Sequence, residues 1–167
     1  QTRAYVEAVA GSGVTLVDTR KTTPGWRTLE KYAVRVGGAR NHRMGLFDGV
    51  LIKDNHIAVA GGIAGAVETI RRSVSHLVKV EVEAASLEQV EAALAAGADV
   101  IMLDNMDLER IRQAVAVIGK RALVEVSGGV TRTGLAELAR SGVDLISIGA
   151  LTHSAVAVDL SMRIEPS

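Results

Sequence analysis

Val78-Lys79-Val80-Glu81-Val82-Glu83 puts valine on one face of a strand and charge on the other, and that alternation decides between two architectures. A doubly wound parallel sheet covers both faces with helices, so its strands read as continuous apolar runs. Here one face is charged. Glu125 and Ser127 alternate with Val124 and Val126 in the same way. Charges directed away from the helices fit a barrel whose interior is, at one end, an aqueous polar site.

Outward from this stretch the pattern is regular. Strands are expected to begin near Val14, Val50, Leu77, Val100, Ala122 and Leu145, and the last four starts lie 23, 22 and 23 residues apart, one βα unit each. Such units impose a parallel sheet with right-handed crossovers. Intervening helices are expected from about Gly62 to Ser73, Ser86 to Ala96, Asp107 to Ile118 and Thr131 to Arg140. Ser86 and Gln89 have capping-box spacing, Asp107 can cap the next helix, and Gly97, Gly119 and Gly142 stand at C-terminal positions. Near the start, residues 2–10 read as a helix and Trp26 to Val36 as another, with Thr23 as N-cap, Pro24 in its first turn and Leu29, Ala33 and Val36 inward. A full eight-fold barrel takes about 250 residues. The expectation is therefore an α/β fold, an open or incomplete TIM-like barrel of about six parallel βα units, forming one domain over residues 1–167.

Composition narrows the function classes. The chain has no cysteine, which removes disulfides, thiolate metal sites and a cysteine nucleophile, and fits a reducing compartment. Nineteen basic and nineteen acidic residues cancel, and aromatics are 2%, so there is neither a basic field nor a stacking surface for nucleic acid. No apolar run is long enough to cross a bilayer and the first residues lack a signal-peptide pattern, so a soluble cytoplasmic protein is expected.

In parallel α/β proteins chemistry collects at the C-terminal ends of strands. The six ends read Asp18-Thr19-Arg20-Lys21, Lys53-Asp54-Asn55-His56, Glu81-Val82-Glu83, Asp104-Asn105, Ser127-Gly128-Gly129 and Ser147-Ile148-Gly149-Ala150. Each offers charge or small residues that suit a phosphate. Arg20, Lys21, Arg43 and Lys53 form an anion-binding side, since an arginine fork can hold a carboxylate at two points. Glu81, Glu83 and Asp104 stand opposite. They suit either Mg²⁺, which takes one or two carboxylates with substrate oxygens, or a salt-bridge network with Lys79 and Lys53. Ser127-Gly128-Gly129 and Gly149-Ala150 bring bare amides to helix starts, a phosphate site in the position barrels favour. Of the four histidines, His42 lies beside Arg43 in a polar loop and is the functional candidate; His56 is a weaker one, His76 reads as surface and His153 as a helix-start contact. No His-x-x-x-His spacing and no nucleophile elbow occurs, which argues against a metalloprotease or serine hydrolase.

Seven blocks together resemble quinolinate phosphoribosyltransferases. They are Asp18 to Gly25, Asn41 to Asp48, Lys53 to His56, Val80 to Glu83, Met102 to Met106, Ser127 to Gly129 and Ser147 to Ser154, in the family's order, within a similarity running from about Val14 to Ser161. The resemblance implies a type II phosphoribosyltransferase of NAD biosynthesis. Quinolinate and phosphoribosyl pyrophosphate (PRPP) would give nicotinate mononucleotide, pyrophosphate and carbon dioxide. It also implies roles: Arg20, His42 and Arg43 for the two carboxylates of quinolinate, Lys21 and Lys53 for the phosphoribosyl donor, Glu83 and Asp104 for its ribose and Mg²⁺, and Ser127, Gly128, Gly129, Gly149 and Ala150 for the 5′-phosphate. Lys53, Glu83 and Asp104 would be the catalytic set.

Members of the family carry an additional N-terminal α/β domain and build the site between two subunits. The resemblance thus implies a homodimer or higher homo-oligomer, with this chain corresponding to the barrel domain. Two other readings are a related type II phosphoribosyltransferase with a different acceptor and a non-catalytic phosphate-binding barrel.

Overall fold

The computed structural model describes residues 1–165. Six parallel strands, β1 (Thr15–Val17), β2 (Val50–Ile52), β3 (Val80–Ala84), β4 (Val100–Asp104), β5 (Leu123–Ser127) and β6 (Leu145–Ser147), form one sheet in the order β1-β6-β5-β4-β3-β2. This order is that of a TIM-like barrel opened between its first two strands. The opening is partly bridged. Arg40 pairs with β1 at Val17, its N–H donating to the Leu16 carbonyl at 2.9 Å, while Asp18 N–H donates to the Arg40 carbonyl. Arg43 then reaches across and donates to the Gly49 carbonyl, just before β2, at 3.1 Å.

The helices are α1 (Thr2–Ala8), α2 (Arg27–Val36), α3 (Asp54–Val59), α4 (Ile63–Ser73), α5 (Leu87–Ala95), α6 (Leu108–Ile118), α7 (Leu135–Leu138) and α8 (Ala150–His153). The core lies between them and the outer face of the sheet. Val80, Val82, Ile101, Leu103 and Ile146 are fully buried there against Val67, Val90, Ala93, Ala114 and Ile118. The alternate strand positions face the interior, and Glu81 and Glu125 are buried on that side. The charged face expected from the alternation is thus the barrel lumen.

Caps follow the sequence where it carried a capping side chain. Ser86 Oγ accepts from Gln89 N–H at 3.3 Å and Asp107 Oδ1 from Arg110 N–H at 2.9 Å, and Gly119 closes α6 in the left-handed conformation. Four expectations need correction. The strand expected from Leu77 starts at Val80, because Val78 N–H closes a turn onto Ser75 O and Leu77 is exposed. The helix expected over Thr131 to Arg140 shrinks to α7, with Thr131 Oγ1 engaged in the preceding turn. Helix α3 appears where the strand end was read as loop, its first turn closed by His56 Nδ1 accepting from Lys53 N–H at 2.9 Å.

The fourth correction concerns α2. Thr23 is not its N-cap, since the helix starts at Arg27 after a turn that includes Pro24, and it buries Lys31 and Val34 while Leu29, Ala33 and Val36 face out. Hydrogen bonding prevails over apolar periodicity here: Lys31 pairs with the buried Asp18, and Arg27 donates to Arg20 O, Met44 O and Thr22 Oγ1. Among the described residues no helix is long and apolar enough to cross a membrane.

Candidate active site

Strand β1 ends in Asp18, and this residue organises the polar end of the barrel. Its carboxylate accepts from Lys31 Nζ, from Asn41 Nδ2 at 2.6 Å and from His42 N–H at 2.9 Å. Lys31 Nζ also donates to the His42 carbonyl at 3.0 Å. The His42 peptide is therefore held at both its N–H and its C=O. Lys21 is held similarly, its N–H donating to Thr19 Oγ1 and its carbonyl accepting from Thr152 Oγ1 at 2.6 Å. The two cationic loops, 18–23 and 40–44, are thus locked to the scaffold by backbone contacts, leaving their charged side chains available.

Those side chains converge on a cavity of about 290 Å³ at the C-terminal mouth of the strands, lined by Arg20, Lys21, His42, Arg43, Lys53, Asp104, Glu125, Ser127 and Ser147 with Leu51 and Met102. The Arg20 Nε is buried and has no acceptor among the described residues. An orphaned donor of this kind marks a place where an external acceptor belongs. Burial, with the like charge of Arg20 beside it, lowers the Arg43 pKa from its ordinary value, so an anion between the two guanidiniums would relieve both costs.

The floor of the cavity is acidic. His42 Nε2 meets Glu81 Oε2 at 3.0 Å and Glu125 Oε1 at 3.7 Å, and the three are the one group of His, Asp or Glu side chains among the described residues drawn close enough to share an ion. Burial opposes charge on His42, but its hydrogen bond with Glu81 and the negative charges of Glu125 and Glu81 outweigh that, and its pKa stands above 6.5. Burial first, then the neighbouring Glu81, pushes Glu125 up to about 8.

Of the residues expected from sequence, Arg20, Lys21, His42, Arg43, Lys53, Asp104 and Ser127 line this one cavity. Glu83 does not line it; its carboxylate is ion-paired with Lys53 instead. Gly128 and Gly129 line a neighbouring hollow of about 250 Å³ beside Met106 and Thr131. Gly128 has φ +92° and sits so close to Asn105 that a side chain would collide with it. Gly149 and Ala150 stand at the start of α8, where Gly149 packs against His153 and the Lys21 side chain. His56 is spent on capping α3, and His76 is exposed.

Sequence reasoning placed Glu125 on the polar face of its strand but gave it no role. Its signal was the same alternation that exposed Glu81, and only the fold puts the two within reach of His42.

The family described as quinolinate phosphoribosyl transferase, C-terminal domain, matches residues 1–163. The chain belongs to this family. It is 47% identical over 163 residues to a probable carboxylating nicotinate-nucleotide pyrophosphorylase of Bacillus subtilis, covering 98% of this chain and 56% of that protein. With the human carboxylating nicotinate-nucleotide pyrophosphorylase it shares 42% identity over 166 residues, covering 96% of this chain and 56% of the relative. The structure superposes on the nicotinate-nucleotide pyrophosphorylase of Francisella tularensis with a TM-score of 0.91 at 47% identity, over 96% of this chain and 57% of that one. The chain thus spans little more than half the length of these family members. A thiamine phosphate pyrophosphorylase from Pyrococcus furiosus, at 19% identity and a TM-score of 0.52, shares the fold alone.

Proposed function

We propose that this barrel carries the catalytic site for transfer of phosphoribosyl from PRPP to quinolinate, with loss of carbon dioxide, to give nicotinate mononucleotide and pyrophosphate. The observation that carries the reading is the orphaned Arg20 Nε in a cavity also lined by Arg43 and His42, a constellation suited to two adjacent carboxylates on a planar ring. Such cations hold the acceptor in register, so that its ring nitrogen attacks C1 of the ribose as pyrophosphate leaves. Lys21 and Lys53 would take the donor's phosphates, and Asp104, with Glu83 ion-paired to Lys53, would meet the positive charge that develops on the ribosyl group. Once the ring nitrogen is quaternised, the ring accepts the electron pair released when the adjacent carboxylate departs. Ser127, Gly128, Gly129, Gly149 and Ala150 offer hydroxyl and amide donors for the 5′-phosphate.

Mg²⁺ is part of the proposal. Glu83 and Asp104 supply oxygen donors from adjacent strands, a set that suits a hard cation sharing phosphate oxygens, and the ion would neutralise charge on the departing pyrophosphate. The full enzyme is proposed to be a homodimer or higher homo-oligomer with a shared site. The exposed Trp26, just before α2, and Leu29, Tyr32 and Val36 on it support a covered surface. A cytoplasmic location completes the proposal, resting on the cysteine-free sequence.

The test is calorimetric titration of quinolinate and of nicotinate into the chain and into an Arg20→Ala, Arg43→Ala variant. Quinolinate is expected to bind more tightly than the monocarboxylate and to lose its binding in the variant. Equal binding of both acids, or binding unchanged by the double substitution, would reject the dicarboxylate site.

A further inference from the structure

The reaction proposed above replaces a carboxylate on the ring by hydrogen, so some group must supply a proton to the carbon that carbon dioxide leaves. The cations at the mouth of the cavity are poor candidates, because a guanidinium does not release its protons in water-exposed or buried protein sites. Glu125 is different in position and in state. It sits on β5 at the floor of the same cavity, only 2% exposed, and its Oε1 has no hydrogen-bond partner among the described residues. Glu81 Oε1, on β3, is likewise buried and unpartnered. Two carboxylates shut into one pocket cannot both ionise without great cost, and the pair keeps a proton between them.

The two carboxylates raise the proton affinity of the His42 ring, but both of its nitrogens are already engaged. Its Nδ1 accepts the Arg43 backbone N–H at 2.8 Å, which leaves Nε2 to donate to Glu81 Oε2 at 3.0 Å. Charging the ring would break the first of these bonds. A divalent cation on the same three side chains is also disfavoured, because Arg20 and Arg43 already bring two positive charges to this end of the cavity. The charged groups that share a cavity wall with Glu125 are Arg20, Lys21, His42, Arg43, Lys53 and Asp104 on the mouth side, and Glu81, Lys79 and Asp48, with His42 and Arg43, on the other. Burial with the Glu81 charge prevails over the opposing pull of His42, so the carboxyl is protonated at neutral pH and ready to act as an acid.

Resting on that reading of function, we propose that Glu125 is the general acid that protonates the ring carbon after decarboxylation, with Glu81 and His42 as positioning residues beside its carboxyl. The bond between the ring carbon and the carboxyl carbon breaks, carbon dioxide leaves, and the electron pair stays on the ring carbon. That pair takes the Glu125 proton to form the C–H bond. Glu125 is left as carboxylate and regains its proton from solvent through the open mouth of the site.

The test compares the intact homo-oligomer proposed above, native and carrying Glu125→Gln or Glu125→Asp, following pyrophosphate, carbon dioxide and nicotinate mononucleotide separately in the presence of quinolinate, PRPP and Mg²⁺. In Glu125→Gln, formation of nicotinate mononucleotide is expected to fall by roughly 10²- to 10⁴-fold, while pyrophosphate release falls less and the dicarboxylated nucleotide accumulates. Turnover of the native protein declines as pH rises through about 8, and this alkaline limb disappears in Glu125→Gln. Glu125→Asp restores part of the rate and the limb. A purely structural role would lower both products in parallel and leave the limb in place, and that outcome overturns the proposal, as does a Glu125→Gln variant with native turnover.

An infrared difference spectrum at neutral pH gives a readout independent of turnover. The carbonyl band of a protonated buried carboxylic acid is expected in the native chain and not in Glu125→Gln; a native spectrum without that band refutes the inference. Failure of the intact homo-oligomer proposed above to release either pyrophosphate or carbon dioxide would instead remove the phosphoribosyl-transfer reading itself, and this inference with it.

Discussion

Asp18 and Lys31 are both almost wholly buried, and each anchors the loop that carries His42 and Arg43. Lys31→Met keeps the volume of the aliphatic stem but strands the Asp18 carboxylate, so it should cost about 3–5 kcal/mol of stability, read by urea unfolding, and weaken quinolinate binding because the His42 carbonyl loses its donor. Adding Asp18→Asn should recover part of the stability; a single variant as stable as the native chain would show that the pair is not a clamp. Glu125 makes a second prediction with a definite sign. Its pKa is raised in the fold to about 8 from the ordinary 4.5, so the native state binds its proton more tightly than the unfolded chain does. The stability it contributes is complete below about pH 4.5 and is lost as pH rises to about 8. Thermal melting across that range should fall less steeply in Glu125→Gln than in the native chain, and parallel curves would refute the linkage. Arg20, Lys21, His42, Arg43 and Lys53 were legible from sequence because cations recurring at strand ends have few structural uses. Glu125 was not, since a carboxylate two strands away from its partner carries no spacing signal.

At the scale of elements, the alternation that marks β3 and β5 is reliable because a strand in a barrel wall has two chemically different sides, one against helices and one toward the lumen. The same pattern recurs in Val156, Val158, Leu160, Met162 and Ile164, yet these residues are in no strand and all are exposed. Alternation records which side chains would share a face; a partner decides whether that face is buried. Ile101, fully buried in β4, and Leu160, 85% exposed, therefore answer differently to truncation. Ile101→Ala should cost about 2–5 kcal/mol, whereas Leu160→Ser with Met162→Ser should change the stability of this chain by less than about 0.5 kcal/mol per site. Denaturant melts measure both, and comparable losses would mean that the tail packs on the barrel. Helix α2 makes the complementary case. Its apolar residues suggested one inward face, and its polar residues chose the other, because Asp18 and the Arg20 and Met44 carbonyls stand at the strand end and need donors.

For the molecule as a whole, the open seam controls where the barrel yields. Strand β4 has a neighbour on each side and β2 is hydrogen-bonded to β3 alone, with Arg43 reaching Gly49 on its other side. Amide exchange should therefore be slowest in β4 and β5 and fastest, among the strands, in β2; protection of β2 equal to that of β4 would show that the seam is closed in solution. The βα repeat was readable without coordinates, because a parallel sheet requires a crossover of nearly constant length and leaves that length in the spacing of apolar runs. So were the polarity of the lumen and the cationic strand ends, each a property of residues close together in the chain. What tertiary structure alone decided was the order of strands around the open seam, the face that α2 buries, and the meeting of His42, Glu81 and Glu125. Those outcomes turn on contacts between residues far apart in sequence, where the energy of a buried charge depends on which neighbours the fold delivers.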